Sequence, residues 1–201
     1  GSTRISFRGH TIDLAEPWLR LPVIDALREE TGLDLREVPA ADMTAIFTEC
    51  HPLGASALSP DSSWGQAVIR LFEALIEPRL IQPTFVMDHP VDVSPLTKRH
   101  RADDRLVERF EPFIGGMEIG NSYSELNDPW EQWERLACQQ GDREDHYDLD
   151  YDFIHAMAHG MPQAGGSGLG IDRLVMLLTG ANSIKEAMLF PLVSSARVAG
   201  N

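Results

Sequence analysis

A glycine-rich segment followed by an arginine is the part of the chain best suited to bind a nucleotide. Residues 165–173 read Gly-Gly-Ser-Gly-Leu-Gly-Ile-Asp-Arg and lead into an apolar stretch typical of a helix. Glycine lets a backbone approach a flat ligand closely, and a helix N-terminus favours phosphate. We expect Asp172 to cap this helix and Arg173 to stack on a base or bind a phosphate. Such glycines also occur where a strand simply packs on a helix, and the spacing matches neither the phosphate-loop nor the dinucleotide motif.

Two carboxylates flank a predicted β-hairpin and could share a cation. The glycine pair at 115–116 is a strong signal for a two-residue turn. Such a turn pairs Phe113 with Glu118 and places Glu111 diagonally across from Glu118, within reach of one bridging ion. Hard oxygen ligands without a nearby cysteine favour Mg²⁺ over Zn²⁺. The alternative, that both carboxylates point to solvent, stays open on geometry alone.

Further polar residues follow Glu118 on the same predicted strand. Strict alternation puts Asn121, Tyr123 and Glu125 on one face and Glu118 on the other. We expect a β-bulge at Gly120 that brings all four side chains together. A carboxylate, an aromatic ring and an amide would then form a pocket suited to an ammonium or guanidinium group. The plainer interpretation is a half-exposed polar strand.

The elements that must position these residues indicate an α+β fold. Hydrophobic periodicity and turn signals predict a hairpin at 4–14, helices at 22–30, 41–50, 64–76, 129–140 and 150–159, and strands at 84–87, 91–93, 109–114, 117–126 and 187–191. Hairpins with helices between them favour an antiparallel sheet flanked by helices over a doubly wound one.

Composition is that of one ordinary globular domain. The chain has 201 residues, of which 43% are hydrophobic, and a net charge of −14, which disfavours binding of nucleic acid by this segment unaided. No apolar run is long enough to span a bilayer. We interpret Gly1 and Ser2 as a cloning remnant, and Cys50 and Cys138 as small buried thiols of a reducing compartment.

Six segments in register resemble the class II lysyl-tRNA synthetases. They read Ile-Gln-Pro-Thr-Phe at 81–85, His-Pro-Val-Asp-Val-Ser-Pro-Leu at 89–96, Arg-Phe-Glu at 109–111, Glu-Ile-Gly-Asn-Ser-Tyr-Ser-Glu-Leu-Asn-Asp at 118–128, Gly-Leu-Gly-Ile-Asp-Arg at 168–173, and Lys-Glu to Leu-Phe-Pro at 185–191. Their order and spacing are those of the family between about residue 80 and residue 193, and a weaker likeness reaches residue 4. The resemblance implies that residues 3–201 form the C-terminal portion of a class II catalytic domain.

The resemblance also implies a reaction and a site. Lysine attacks the α-phosphate of ATP, and the lysyl group of the resulting adenylate passes to tRNA(Lys); the parent would be a cytoplasmic homodimer with no membrane association. Arg173 matches the catalytic arginine that lies against adenine and reaches the γ-phosphate. The other implied roles are Mg²⁺ and ATP binding by Glu111 and Glu118, ATP binding by Gly168 and Gly170, and lysine binding by Asn121, Tyr123 and Glu125, the last pairing with the ε-ammonium.

The chain departs from the family in one major respect. Motif 1, motif 2 with its α-phosphate arginine, and the N-terminal anticodon-binding barrel have no counterpart in the sequence. We therefore expect a fragment that does not charge tRNA alone. Two other hypotheses remain: a lysine- or adenylate-binding module without catalysis, and a paralogous ligase that attaches lysine to a translation factor. The paralogues keep motif 2 and often carry alanine where motif 3 of this chain has glycine.

Overall fold

A five-stranded sheet with helices packed against it forms the centre of the protein. The computed structural model describes residues 1–15, 17–50, 58–59, 62–141 and 149–191. In chain order the elements are β1 (Arg4–Phe7), β2 (His10–Asp13), β3 (Leu19–Pro22), α1 (Val23–Thr31), α2 (Met43–Cys50), α3 (Trp64–Leu75), β4 (Thr84–Met87), β5 (Arg109–Phe113), β6 (Gly120–Ser124), α4 (Pro129–Gly141), α5 (Tyr151–Ala158), β7 (Gly165–Leu169), α6 (Ile171–Thr179) and α7 (Ile184–Ala187), with 3₁₀ turns at Ala40–Asp42, Glu77–Arg79 and Val91–Val93.

The strand order of the sheet is β3-β4-β5-β6-β7. The pairs β4–β5, β5–β6 and β6–β7 are antiparallel, whereas β3 runs parallel to β4. The predicted α+β class is confirmed, with a mixed rather than purely antiparallel sheet. Strands β1 and β2 form the predicted hairpin beside it, turning at Arg8 and Gly9, which both have positive φ.

Local signals explain where the helices that cover the sheet begin and end. Helix α3 starts with a capping box in which Ser63 and Gln66 satisfy each other's backbone N–H groups. Helix α1 ends at Gly32, which takes the left-handed conformation that glycine adopts without steric cost. The buried faces of α1 and α3 enclose Val86 and Phe113 in the main core. One end of the sheet face is therefore covered by helices, and the opposite end is open.

Several elements differ from the sequence-based prediction. Residues 91–93 form a 3₁₀ turn instead of a strand, since the Val91 N–H donates to Arg105 O and the Ser94 N–H donates back to Val91 O. The predicted strand at 187–191 is wrong: the described residues end in helix α7 and a segment in which Phe190 is 92% exposed. Cys138 is exposed on α4, against expectation. Strands β3 and β7 were not predicted.

The hairpin and the bulge at Gly120 are both confirmed. Ile114 and Met117 exchange backbone hydrogen bonds around the glycine pair, and Phe113 pairs with Glu118. Farther from the turn, however, Phe110 pairs with Ser122. Between these two pairs, two residues on β5 (Glu111 and Pro112) lie opposite three on β6 (Ile119, Gly120 and Asn121), so β6 carries one extra residue. That extra residue lies at 120–121, opposite Glu111.

We expect Gly120→Ala to destabilise the protein by about 1–3 kcal/mol, because it overpacks the bulge. A Cβ at this position would lie 2.7 Å from Gly168 O, a backbone atom of β7 that cannot move independently of the strand. Urea unfolding followed by circular dichroism measures the loss. In the control Gly165→Ala, the nearest atom to the added Cβ is 3.8 Å away. Equal stability of the two variants would contradict the tight contact.

An apolar surface adjoins the outer edge of β7. It comprises exposed side chains of β7, α6 and the segment around α7, namely Leu169, Ile171, Val175, Leu178, Ile184, Met188, Leu189 and Phe190. Within the described ranges, no helix combines the length and the apolarity needed to cross a bilayer.

Candidate functional site

The register of β5 and β6 collects the candidate side chains on the open face of the sheet. Arg109 and Glu111 alternate on β5 and share a face, and Arg109 pairs with Tyr123. The Arg109 Nε donates to Asn121 Oδ1 at 3.0 Å, which places Asn121 on that face too. Because of the bulge, Glu118 joins the same face. The predicted convergence of the carboxylates with the amide and the ring is thus observed.

The glycine segment forms a bare floor beside these residues. Gly168 pairs with Asn121 and Gly166 pairs with Tyr123, so both glycines face the same side as the polar cluster. A Cβ on Gly166 would overlap the carboxylate of Glu125. The segment is an edge strand rather than a loop, and its side-chain-free face lets Glu125 lie across it.

Helix α6 begins directly after this strand, but Asp172 does not cap it. The N-cap is Gly170, without a side-chain hydrogen bond, and Asp172 is exposed in the first turn. The glycine permits the close approach of Arg173 and of Ile119 O, which lies 3.4 Å from an added Cβ. Gly170 therefore lets the chain turn from β7 into α6 beside the polar face.

Glu111 is the most strongly held carboxylate of the cluster. One oxygen accepts from the Arg109 guanidinium, and the other lies 3.2 Å from His89 Nε2. Burial alone would raise the pKa of Glu111, but the hydrogen bonds and charges of His89 and Arg109 outweigh burial and hold this pKa below its ordinary value of 4.5. Glu111 is accordingly ionised at neutral pH, and each of its oxygens keeps a second lone pair for another ligand.

Glu118 is partly exposed and contacts Arg173. The Arg173 guanidinium donates to Glu118 O at 2.5 Å and lies 3.4 Å from its Oε2. Their side chains are 45% and 38% exposed, so the contact is open to solvent and weak by nature. The two residues line a cavity of about 350 Å³ with Gly168, Gly170 and Asn121.

A second cavity, of about 330 Å³, lies on the other side of Glu118. It is bordered by Glu111 and by two carboxylates from the end of α3 and the turn after it, Glu73 and Glu77. His89 and Arg109 complete its polar lining. Four carboxylates thus surround one small space, with an arginine and a histidine offsetting part of their charge.

The donor set fits Mg²⁺ bound by few protein ligands. Although several carboxylates line this cavity, no three His, Cys, Asp or Glu side chains in the described part of the chain are placed to bind one metal ion together. Glu111 and Glu118 offer hard oxygens alone, and Mg²⁺ is commonly held by one or two carboxylates with water and phosphate oxygens completing the octahedron. Calcium or zinc would require more protein ligands.

Substitution of Glu77 provides a test of the electrostatics of this cavity. Burial, with the charges of Glu73, Glu111 and Glu118, raises the pKa of Glu77. A raised pKa means that the folded state binds the proton more tightly than the unfolded state, so ionisation of Glu77 costs stability at neutral pH. We expect Glu77→Gln to raise the melting temperature at neutral pH and to lose this gain as the pH falls towards 4.5. An equal gain at both pH values, or a gain matched by Glu29→Gln on the exposed surface of α1, would contradict the assignment.

The end of the pocket near Glu125 carries an unneutralised charge. Asn121, Tyr123 and Glu125 are all half-buried. Among the described residues no cation pairs with the Glu125 carboxylate, whereas Glu111 and Glu118 each have an arginine or histidine partner. A cationic ligand group would complete this end of the pocket.

Sequence reasoning missed three members of the site: Arg109, His89 and Glu77. Arg109 carried a usable signal, since it lies two residues before Glu111 and so shares its face. His89 and Glu77 come from a loop and a 3₁₀ turn whose approach to the sheet no local pattern indicates.

Comparison with known proteins identifies the class to which this fold and site belong. The model of the tRNA synthetases class II (D, K and N) matches residues 3–194. The chain belongs to this family.

The similar curated proteins are lysine–tRNA ligases. The chain is 48% identical to the lysine–tRNA ligase of Pelotomaculum thermopropionicum over 198 residues, which covers 96% of the chain and 39% of the relative. It is 45% identical to that of Thermosynechococcus vestitus over 205 residues, covering 100% of the chain and 40% of the relative. Identity to the Methanoculleus marisnigri enzyme is 46% over 201 residues, covering 98% and 39%. The chain thus spans about two fifths of the length of these relatives.

Proposed function

We propose that the chain forms one wall of the lysine-activating site of a lysine–tRNA ligase. The complete enzyme would join lysine to ATP as lysyl-adenylate and transfer the lysyl group to tRNA(Lys) in the cytoplasm. The observation that carries the proposal is the bulge at Gly120. It places Glu111 and Glu118, the carboxylates that could hold Mg²⁺, on the same sheet face as the polar pocket, beside the glycines of β7. The similarity to lysine–tRNA ligases over nearly the whole chain supports lysine as the amino acid.

Lysine would bind at the end of the face occupied by Asn121, Tyr123 and Glu125. The unpaired Glu125 carboxylate would receive the ε-ammonium, and the Tyr123 ring would border the aliphatic stem. A charge-assisted hydrogen bond in a half-buried pocket is worth about 1.5–3 kcal/mol. This charge pair would therefore supply most of the discrimination against neutral amino acids.

ATP would occupy the opposite end, near Arg173 and the glycine floor. Gly168 and Gly170 leave room for a flat base or a phosphate chain above the strand. Arg173 would lie against adenine and reach the γ-phosphate, for which it must leave its contact with Glu118. Glu111 and Glu118 would hold Mg²⁺, which when bound offsets phosphate charge.

Chemistry on this wall would rest on position and charge. The carboxylate of lysine is already ionised and would attack the α-phosphate without a general base, displacing pyrophosphate. The contribution of the chain would be to align lysine with the α-phosphate and to keep the reacting groups on one rigid sheet face. Arg173 would stabilise charge that develops on the phosphates. The apolar surface beside β7 is where we expect further parts of a complete synthetase to pack.

Titration with lysine and with norleucine tests the proposal on the chain as it stands. Norleucine has nearly the shape of lysine but lacks the ε-ammonium. We expect lysine, and not norleucine, to shift the NMR signals of Asn121 and Tyr123. We also expect no lysine-dependent exchange of pyrophosphate into ATP by the chain alone. Equal shifts with both amino acids would contradict the assigned pocket, and robust exchange would contradict the half-site.

A further inference from the structure

Arg109 is hydrogen-bonded both to Asn121, in the proposed lysine pocket, and to Glu111, a proposed Mg²⁺ ligand. Its Nε donates to Asn121 Oδ1 at 3.0 Å, and one terminal nitrogen donates to Glu111 Oε1. The other terminal nitrogen donates to Ser94 Oγ at 2.9 Å and lies 3.4 Å from Val93 O. The side chain is only 18% exposed. Every nitrogen of this guanidinium therefore has an acceptor, and the acceptors come from three separate segments.

The bond to Asn121 fixes which way its amide points. An arginine N–H can donate only to the amide oxygen, so the Asn121 NH₂ group must point away from Arg109. Among the described residues no acceptor takes these two N–H groups. Asn121 is thereby presented to the pocket as a donor, which suits a carboxylate or carbonyl oxygen of a bound amino acid rather than its ammonium.

The bond to Glu111 fixes the carboxylate at the other end. Together with His89, Arg109 holds Glu111 ionised and in one orientation. The contacts with Ser94 and Val93 tie the guanidinium to the 3₁₀ turn at Val91–Val93, a segment outside the sheet. The guanidinium is planar and its N–H donors point in fixed directions, so moving one of its acceptors changes its bonds to the others. A lysine ammonium on its flexible stem does not couple its acceptors in this way.

We propose that Arg109 is a positioning residue. By orienting the Asn121 amide and the Glu111 carboxylate together, it couples the proposed lysine pocket to a carboxylate that would hold Mg²⁺. The proposal rests on the proposed function for the identity of the ligands, but the coupling between the two side chains is a property of the chain itself. The residue acts through Asn121 and Glu111 and does not contact the reacting atoms.

The first test compares Arg109→Lys with the wild type. One ammonium cannot satisfy four acceptors in three directions, so we expect lysine affinity, measured by NMR titration, to fall about tenfold. Ser94→Ala removes one anchor while leaving both coupled bonds, and we expect a loss of no more than about threefold. Arg105→Lys is the matched control, since Arg105 also bonds a carboxylate and a backbone carbonyl but lies outside the site. Unchanged lysine affinity in Arg109→Lys would overturn the proposal.

A second measurement needs no ligand and separates the inference from the proposed function. Glu111→Gln should shift the Asn121 side-chain NH₂ signals in the wild-type background, because Arg109 transmits the change. In the Arg109→Lys background the same substitution should leave those signals in place. Equal shifts in both backgrounds would overturn the coupling, whether or not lysine binds. Failure of the wild type to bind lysine, with the coupling intact, would instead overturn the proposed function alone.

Discussion

Glu125→Gln is expected to weaken lysine binding by about a hundredfold. The substitution keeps the shape of the side chain and removes the charge that would pair with the ε-ammonium, at a cost of about 1.5–3 kcal/mol. Because no described cation pairs with Glu125, the loss should fall on ligand binding and leave the folded state intact. Isothermal titration calorimetry with lysine measures the affinity, and thermal unfolding measures the stability.

Glu29→Gln is the charge-matched control for this substitution. Glu29 is exposed on α1, away from the polar face, and should leave lysine affinity unchanged. Norleucine provides the second control, because the Glu125 variant should lose its preference for lysine over norleucine. Retention of that preference would show that another residue recognises the ammonium.

Gly166→Ala should reduce lysine affinity by about thirtyfold while changing stability little. An added Cβ would overlap the Glu125 carboxylate, which is the end of a flexible side chain and can swing aside. The backbone of Gly166 has no positive φ, so alanine fits the strand itself. A displaced carboxylate gives up most of the charge-assisted contact with the ligand.

The neighbouring Gly165→Ala separates this effect from a general effect of alanine in β7. Gly165 pairs with Ser124 and lies on the opposite face, with the nearest atom 3.8 Å from an added Cβ. We expect normal lysine affinity in this variant. If both variants bind lysine as the wild type does, Glu125 is not part of the pocket, since its position above Gly166 would then be irrelevant.

The sequence revealed the part of the site that depends on local geometry. A glycine pair with positive φ fixes the hairpin, and the hairpin fixes which residue faces Glu118. The bulge at Gly120 was predicted because strict alternation would place Glu118 on the opposite face from Asn121, Tyr123 and Glu125, and because a glycine inside a strand often marks a bulge. Turn and bulge are both specified by residues next to one another in the chain, so they could be predicted without knowledge of the fold.

Features that depend on contacts distant in sequence could not be predicted. The glycine segment becomes a strand because β6 supplies its hydrogen-bond partners, although glycine itself has low strand propensity. Short β3 pairs with β4 across a gap of more than sixty residues. The apolar run at 91–93 has the composition of a strand but meets Arg105 and Pro90 in a turn. His89 lies between β4 and the 3₁₀ turn at Val91–Val93, and no local pattern indicates its contact with Glu111.

The glycine floor and the polar face form one surface, and its two ends differ in charge. The Glu125 end lacks a cation among the described residues, whereas the Arg173 end presents one. In the proposed complex, the Glu125 carboxylate would receive the ammonium of lysyl-adenylate, and Arg173 would face its phosphate beside Glu111 and Glu118, the carboxylates proposed to hold Mg²⁺. The proposed lysine pocket and the proposed ATP site thus lie at opposite ends of one surface formed by β6, β7 and the start of α6.

Calorimetry with two non-hydrolysable aminoacyl-adenylate analogues tests this account most directly. The lysyl analogue carries an ammonium where the aspartyl analogue carries a carboxylate, and the family that matches the chain includes synthetases for both amino acids. We predict measurable heat and saturable binding with the lysyl analogue, and none with the aspartyl analogue at the same concentration. Absence of heat with the lysyl analogue at millimolar concentration, or equal affinity for the two, would contradict the assignment of this face as a wall of a lysine-activating site.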